Sequence, residues 1–117
     1  MQEEKGGFAM TGNEYQKLAM MTLNRELDKN EMLTNSVMGL CGESGEACDI
    51  VKKHLFHGHE LDRDSLIKEL GDVAWYLAEA ATALDISIDE VLERNIEKLR
   101  KRYPEGFSSE KSINRTE

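Results

Sequence analysis

Two short segments decide the fold of this chain: Glu43-Ser-Gly-Glu46 and Glu69-Leu-Gly-Asp72. Each carries two carboxylates three residues apart. Because residues at this spacing share one face of a helix, each pair can direct its carboxylates at a single point. Two such helices side by side would gather four acids, and that much negative charge needs a cation to hold it together.

The residue types in the two pairs favour a hard cation. Oxygen ligands without His or Cys are typical of Mg2+ sites, and Mn2+ can substitute for Mg2+ there. Both pairs border the apolar stripes of their helices, whereas a purely solvated charged face more often lies opposite the stripe. The sequence therefore predicts a metal site, and a Mg2+ cluster on helices indicates phosphate chemistry. The predicted ligands are Glu43, Glu46, Glu69 and Asp72.

Length and charge limit the other classes of protein. The 117 residues suit one domain, with a helical core at about 12–103 and loose tails at 1–10 and 108–117. A net charge of -8 argues against non-specific nucleic-acid binding. No apolar run approaches the roughly 20 residues of a membrane span, and the first residues lack the apolar core of a signal peptide. We therefore expect a cytoplasmic protein with no membrane or nucleic-acid partner.

Helical signals dominate the chain, which has a single proline. Thr11 and Glu14 are spaced as a capping box, and so are Ser87 and Glu90. Apolar periodicity and these caps predict four helices joined by short links, hence an all-α four-helix bundle. The predicted helices begin near 11 and end between 24 and 28, and then span about 33–56, 64–84 and 87–102.

The second and third predicted helices each carry an apolar stripe, which we expect to form the core. Cys41 and Cys48 fall in the first stripe, so we expect buried, reduced thiols. The full stripes are Val37, Leu40, Cys41, Ser44, Cys48, Val51 and Leu55 on the second helix, and Leu66, Leu70, Val73, Leu77, Ala81 and Leu84 on the third.

Three glycines and a tryptophan need separate explanations. Gly39, Gly42 and Gly45 each weaken a helix by roughly 1 kcal/mol relative to Ala, which indicates close approach of another backbone or of a ligand. Trp75 lies away from both the stripe and the acids, and we expect it to pack against another subunit. Glu79 lies one turn beyond Tyr76 on the acidic side, where it could serve as an additional outer acid.

The two acid pairs, separated by 22 residues, resemble the Glu-x2-Glu and Glu-x2-Asp signature of the MazG-like members of the all-α nucleotide pyrophosphohydrolase superfamily. The resemblance extends through both acidic helices to the closing segment Asn95-Ile-Glu-Lys98-Leu-Arg-Lys-Arg102-Tyr103-Pro104. It covers residues 12 to about 107. It implies the fold of the all-α NTP pyrophosphatases.

The resemblance also implies an activity, the hydrolysis of a nucleoside triphosphate (NTP or dNTP) to the monophosphate and pyrophosphate. Mg2+ held by the four acids would bridge phosphate oxygens and stabilise the charge that develops during the reaction. A water molecule is expected to attack the α-phosphate. Glu46 is the best candidate for the carboxylate nearest that water, with Glu43 beside it, although sequence does not separate base catalysis from metal ligation. A house-cleaning role in the nucleotide pool follows from the same resemblance.

A polyanionic substrate also requires cations. By resemblance, the phosphate-facing edge is formed by Asn95, Lys98, Arg102 and Tyr103. The alternative for these basic residues is a favourable interaction with the helix dipole. Lys53 lies on the acidic side of the second helix, where it would either contact phosphate or balance Glu46 and Asp49.

Several alternatives stay open at this stage. Wide apolar faces predict a homodimer or homotetramer, with the active site near a subunit boundary and catalytic groups from a second subunit. A non-catalytic helical interaction module would explain the stripes but not the acid pairs beside the core. Specific hydrolysis of dUTP or of phosphoribosyl-ATP is a further alternative. A di-iron bundle would need Glu-x-x-His, which the acid pairs lack, and His57-Gly-His59 lacks evident partners for zinc.

Overall fold

The computed structural model describes residues 10–115. Within this range the chain forms α-helices and one 3-10 turn and contains no β-strand, which confirms the prediction of an all-α protein. The helices are α1 (Gly12–Ala19), α2 (Lys29–Phe56), α3 (Arg63–Ala83), α4 (Ile88–Arg102) and α5 (Ser109–Ile113), and the 3-10 turn (Met20–Thr22) directly follows α1.

Side-chain caps determine where the helices begin. Thr11 and Glu14 form the predicted capping box at the start of α1. Asp28 and Glu31 form a second box, which starts α2 at Lys29, earlier than the apolar pattern indicated. The first helix was predicted to extend beyond residue 23, but its α-helical part ends at Ala19 and the 3-10 turn continues the apolar pattern.

The helices α2 and α3 form a hairpin that packs along its length. Residues 57–62 connect them, and Gly58 adopts a positive φ of 77° in this connection, a conformation that glycine adopts without strain. Asp62 caps α3 by accepting a hydrogen bond from the Ser65 backbone N–H at 3.2 Å. Because the connection is short, the two helices run antiparallel, and Glu43 of α2 lies beside Glu69 and Asp72 of α3.

The buried core lies at the end of the hairpin remote from this connection. Small residues of α3 pack there against the 3-10 turn and the starts of α2 and α4. Trp75 packs against the same core, and its indole N–H donates to the Ala19 carbonyl at 3.1 Å and the Thr22 hydroxyl at 2.9 Å. The packing of Trp75 against another subunit stays a prediction. The core comprises Met20, Leu23, Met32, Ala78, Ala81, Ala83 and Ile88.

Much of the predicted apolar stripe of α2 is exposed in the single chain. Val37 is 56% exposed and Leu55 is 62% exposed. Cys41 and Cys48 are exposed as well, so the expectation of buried thiols is wrong for the chain by itself. The reason is that α2 directs its acidic face, rather than its stripe, at α3. On α3, Leu70 is likewise exposed.

The fourth helix is anchored mainly at its beginning. The Gln16 side chain of α1 accepts from the Ile88 backbone N–H at 2.8 Å and donates to the Ile86 carbonyl at 3.1 Å. Residues 92–101 of α4 are all exposed, including the apolar Leu92 and Ile96. A closed four-helix bundle therefore stays a prediction.

The predicted tails differ from each other. The segment at 108–117 contains the short helix α5, so it is not entirely loose. The tail expected at 1–10 lies, apart from the exposed Met10, outside the described residues. Among residues 10–115, no helix combines the length and apolar character needed to cross a membrane.

Candidate metal centre

Three of the four predicted acids converge at the seam between α2 and α3. Glu43 of α2 and Glu69 and Asp72 of α3 each place one carboxylate oxygen within 4.8 Å of the others. Oxygen ligands that share one divalent cation at 2.0–2.6 Å lie within about 5 Å of one another. Glu43 and Glu69 are half-buried, while Asp72 is exposed. The arrangement therefore has the size of a cation site that opens to solvent.

Electrostatics at this cluster favour a bound cation. Burial raises the pKa of Glu69, and the neighbouring carboxylates Glu43, Glu46 and Asp72 raise it further. A raised carboxyl pKa means that the charged form is disfavoured, and a positive ion at the same point would relieve that cost. The donor set consists of carboxylate oxygens alone, which fits a hard divalent cation and does not favour zinc.

Glu46 lies one turn beyond Glu43 and does not join the group of three. Its carboxylate is near enough to raise the pKa of Glu69. It also lines a cavity of about 450 Å³ beside the cluster, formed by α2, the start of α3 and the connection between them. The structure thus places Glu46 between the three converging acids and an open space, while its predicted metal ligation stays a prediction.

The cavity carries charges of both signs. Glu46 and Glu69 line the side next to the acid cluster, and Lys53, Lys68 and His59 line other parts of the wall. The Lys53 ammonium lies 3.1 Å from the Asp49 carboxylate. The hydrogen bond from Lys53 is the main cause that lowers the pKa of Asp49. Of the residues predicted to bind substrate, Lys53 is the one beside the acids in the single chain.

The glycines of α2 differ in their surroundings. The Tyr76 ring of α3 packs so closely over Gly39 that a methyl group there would overlap three ring atoms. At Gly42 and Gly45, an added methyl group would meet nothing within 4 Å. The predicted approach of another backbone or of a ligand is wrong at Gly39, because the approaching group is the Tyr76 side chain. The structure gives no such reason for the other two glycines.

A buried carboxyl group lies two turns of α3 beyond Asp72. Glu79 is fully buried, and the Asn35 side-chain amide of α2 donates to its two oxygens at 2.9 and 3.1 Å. Burial raises the pKa of Glu79, and the hydrogen bond from Asn35 partly opposes that shift. Glu79 is not a member of the converging group, so its predicted role as an outer acid finds no support in this geometry.

Tyr15 of α1 is a neighbour of the site that sequence reasoning missed. Burial raises the pKa of its phenol, and the Asp72 carboxylate raises it further. Tyr15 recurs with the apolar residues of α1, so its position in the sequence indicates packing and does not indicate a role at a site.

The predicted phosphate-binding residues near the end of α4 are not among those that form the three-acid group or line the cavity. Asn95 and Lys98 are exposed. Arg102 is half-buried, and its guanidinium carbon lies 5.9 Å from the centre of the Tyr103 ring. None of these four residues belongs to the three-acid group or lines the 450 Å³ cavity. Their contact with substrate stays a prediction.

Fold and site together define an all-α protein with a carboxylate cluster suited to a divalent cation. The MazG nucleotide pyrophosphohydrolase domain matches residues 32–107, and the chain belongs to this family. The matched range contains both acid pairs and the basic edge of α4, which confirms the resemblance. The chain is also similar to the Gene 37 protein of Mycobacterium phage L5, with 39% identity over 94 residues that cover 77% of this chain and 82% of the phage protein. No solved structure matches the chain.

Proposed function

We propose that the protein is a Mg2+-dependent pyrophosphohydrolase that converts an NTP or dNTP to the monophosphate and pyrophosphate. The observation that carries the proposal is the convergence of Glu43, Glu69 and Asp72, in a family of nucleotide pyrophosphohydrolases. A helical interaction module has no use for three converging acids, two of them half-buried, so the geometry favours the enzyme.

The carboxylates have distinct proposed roles. Glu43, Glu69 and Asp72 hold the cation, which supplies positive charge to the phosphate oxygens when it is bound. Glu46 borders the adjoining cavity, where its carboxylate accepts a proton from the attacking water. The water oxygen then bonds to the α-phosphorus while the bond from that phosphorus to the bridging oxygen breaks. Pyrophosphate leaves with that oxygen, and the monophosphate retains the oxygen from water.

The remaining substrate contacts follow from charge. Lys53 faces the cavity beside Glu46 and is proposed to exchange its Asp49 partner for a phosphate oxygen. The basic edge of α4, which carries Asn95, Lys98, Arg102 and Tyr103, is proposed to contact the leaving phosphates. Because these residues neither join the three-acid group nor line the cavity within one chain, we propose that a second copy brings this edge to the site.

The proposed assembly is a homodimer or homotetramer. The exposed apolar surface of α2, which includes Val37 and Leu55, supports it, because a large exposed apolar patch marks an interaction surface. We further propose a cytoplasmic role in removing unwanted nucleotides. Selective hydrolysis of dUTP or of phosphoribosyl-ATP is a narrower form of the same proposal, which a substrate panel distinguishes.

The test is pyrophosphate release from a panel of standard and modified NTPs, dNTPs and phosphoribosyl-ATP, with and without Mg2+. Wild type is expected to form monophosphate and pyrophosphate only with Mg2+, and Glu46→Gln is expected to lose turnover by about a hundredfold or more. Glu26→Gln, an exposed acid outside the site, is the matched control and should retain full activity. Diphosphate with inorganic phosphate as products, or no turnover by folded wild type, would contradict the proposal.

A further inference from the structure

We propose that Gly39 and Tyr76 form a spacer that sets the separation of α2 and α3 at the metal centre, and that Asn35 and Glu79 tie the same helices one turn further on. These are positioning residues: they act through Glu43, Glu69 and Asp72 rather than on the substrate. The inference rests on the proposed metal site and extends it to residues outside the acid signature.

The contacts between the two helices occur in a regular order. Along α2, Asn35, Gly39 and Glu43 follow one another at intervals of four residues, which is about one helical turn. They meet, in the same order, Glu79, then Tyr76, then the pair Glu69 and Asp72. The acid cluster is therefore the next contact after the Gly39–Tyr76 contact, and a change in helix separation at that contact reaches the acids one turn away.

The Gly39–Tyr76 contact is too close for any larger residue at position 39. A methyl group on Gly39 would overlap Cδ1, Cε1 and Cζ of the Tyr76 ring. Glycine is less favourable than alanine inside a helix, but its lack of a side chain permits the close contact with Tyr76 at position 39. Gly45 lies in the same helix without such a neighbour.

The Tyr76 ring has little freedom to move away. Trp75 packs edge-on against it with ring centres 5.1 Å apart. The Trp75 indole is itself held by the Ala19 carbonyl and the Thr22 hydroxyl. A methyl group at Gly39 would consequently push α2 and α3 apart. Since Mg2+ requires ligand distances near 2.0–2.1 Å, a small increase in separation would weaken binding.

The tie between Asn35 and Glu79 opposes the same separation. Glu79 is fully buried, and both of its oxygens accept from the Asn35 amide. Moving α2 away from α3 would break these bonds and leave a buried carboxyl without them, which is costly. The Gly39–Tyr76 contact prevents α2 and α3 from coming closer, and the Asn35–Glu79 hydrogen bonds prevent them from moving apart. Together they fix one separation of the two helices.

The experiment measures the affinity of the metal-free full chain for Mn2+ alone, by calorimetry and by the Mn2+ electron paramagnetic resonance signal. Gly39→Ala is expected to bind Mn2+ about tenfold or more weakly. Gly45→Ala, the same change in the same helix, is expected to bind as wild type does. The double variant Gly39→Ala/Tyr76→Ala removes the overlapping ring and should bind more tightly than Gly39→Ala.

A merely structural role gives a different result. It would lower the unfolding temperature of Gly39→Ala and leave the Mn2+ affinity of the folded protein equal to that of Gly45→Ala, which would overturn the proposal. If Gly39→Ala does not fold, Tyr76→Phe and Tyr76→Leu provide the test. Phe keeps the ring and should retain affinity, whereas Leu should lose about tenfold; equal affinities of these two variants would overturn the spacer.

Failure of the proposed function has its own signature. Wild type that binds Mn2+ but releases no pyrophosphate contradicts the enzyme proposal and leaves the spacer to be decided by the affinities. Wild type that turns over nucleotide while Gly39→Ala and Gly45→Ala bind Mn2+ equally contradicts the spacer alone.

Discussion

At the residue scale, the carboxylates of this chain fall into two environments. Glu43, Glu69 and Asp72 converge at a point that is open to solvent, where burial and the neighbouring carboxylates raise the pKa of Glu69. Glu79 is fully buried with Asn35 as its hydrogen-bond partner. The i, i+3 spacing predicted the first group because helical geometry places such residues on one face. It did not predict the burial of Glu79, which depends on the packing of α2 against that part of α3.

The buried carboxyl gives the fold a pH dependence. Burial raises the pKa of Glu79 above its ordinary value of 4.5, so its contribution to stability is complete below pH 4.5 and is lost as pH rises through the raised pKa. Glu79→Gln removes this loss. The free energy of unfolding of Glu79→Gln, relative to wild type, is therefore expected to increase between pH 4.5 and neutral pH. Urea unfolding without metal at a series of pH values measures this difference.

The control for that series is Glu26→Gln, because the Glu26 side chain is exposed rather than buried. Its stability relative to wild type should not change across the same pH range. A difference between Glu79→Gln and wild type that stays constant with pH would show that Glu79 titrates alike in the folded and unfolded chains.

For the individual helices, the sequence predicts that they exist more accurately than it predicts their first and last residues. The acid pairs and periodic apolar residues identified α2 and α3, which carry the site. The start of α2 was placed too late because the apolar stripe begins after the Asp28–Glu31 capping box. The end of α1 was placed too late because the apolar pattern continues through the 3-10 turn Met20–Thr22. Over so few residues, apolar periodicity does not distinguish an α-helical turn from a 3-10 turn.

The capping box at α2 provides a test of that boundary. The Asp28 carboxylate accepts from the Glu31 backbone N–H at 2.8 Å, and the Glu31 carboxylate accepts from the Asp28 N–H at 2.9 Å. Asp28→Ala removes the first bond and is expected to lower the free energy of unfolding by about 1 kcal/mol. Urea unfolding followed by circular dichroism measures the change.

A matched substitution for this test is Asp64→Ala, in the first turn of α3. Asp64 is exposed, and the cap of α3 is Asp62. Asp64→Ala therefore removes only a favourable interaction with the helix dipole, which contributes about 0.3–1 kcal/mol to the free energy of unfolding. An Asp28→Ala variant that is as stable as wild type would contradict the capping role of Asp28.

At the scale of the whole molecule, the single chain leaves apolar surface uncovered. The Cα radius of gyration is 17.6 Å, against about 13 Å for a compact domain of this length. The stripe of α2 and the apolar residues along α4 are exposed. The amino-acid pattern identified the stripe of α2 as apolar but not the apolar residues of α4, and it predicted association without indicating which surface covers another. The sequence therefore does not predict which surface covers the exposed apolar residues of α2 or of α4.

The proposed association predicts the molecular mass of the protein in solution, and a substitution on the exposed α2 stripe should lower that mass. Wild type is expected to elute as a dimer or tetramer of the 13.3 kDa chain in light-scattering chromatography. Leu55→Glu places a charge on the exposed α2 stripe and is expected to shift the protein towards monomer while its helix content is retained. Ile113→Glu, on the exposed helix α5, should leave the assembly unchanged. A monomeric wild type would contradict the proposed assembly.

The proposed reaction is the attack of water on the α-phosphorus of a nucleoside triphosphate at the acid cluster. Hydrolysis in 18O-labelled water with Mg2+, followed by 31P nuclear magnetic resonance of the products, tests this reaction. The label is expected in the nucleoside monophosphate and not in pyrophosphate, and turnover is expected to be lost in Asp72→Asn. Label in pyrophosphate, or release of inorganic phosphate with a nucleoside diphosphate, would contradict it.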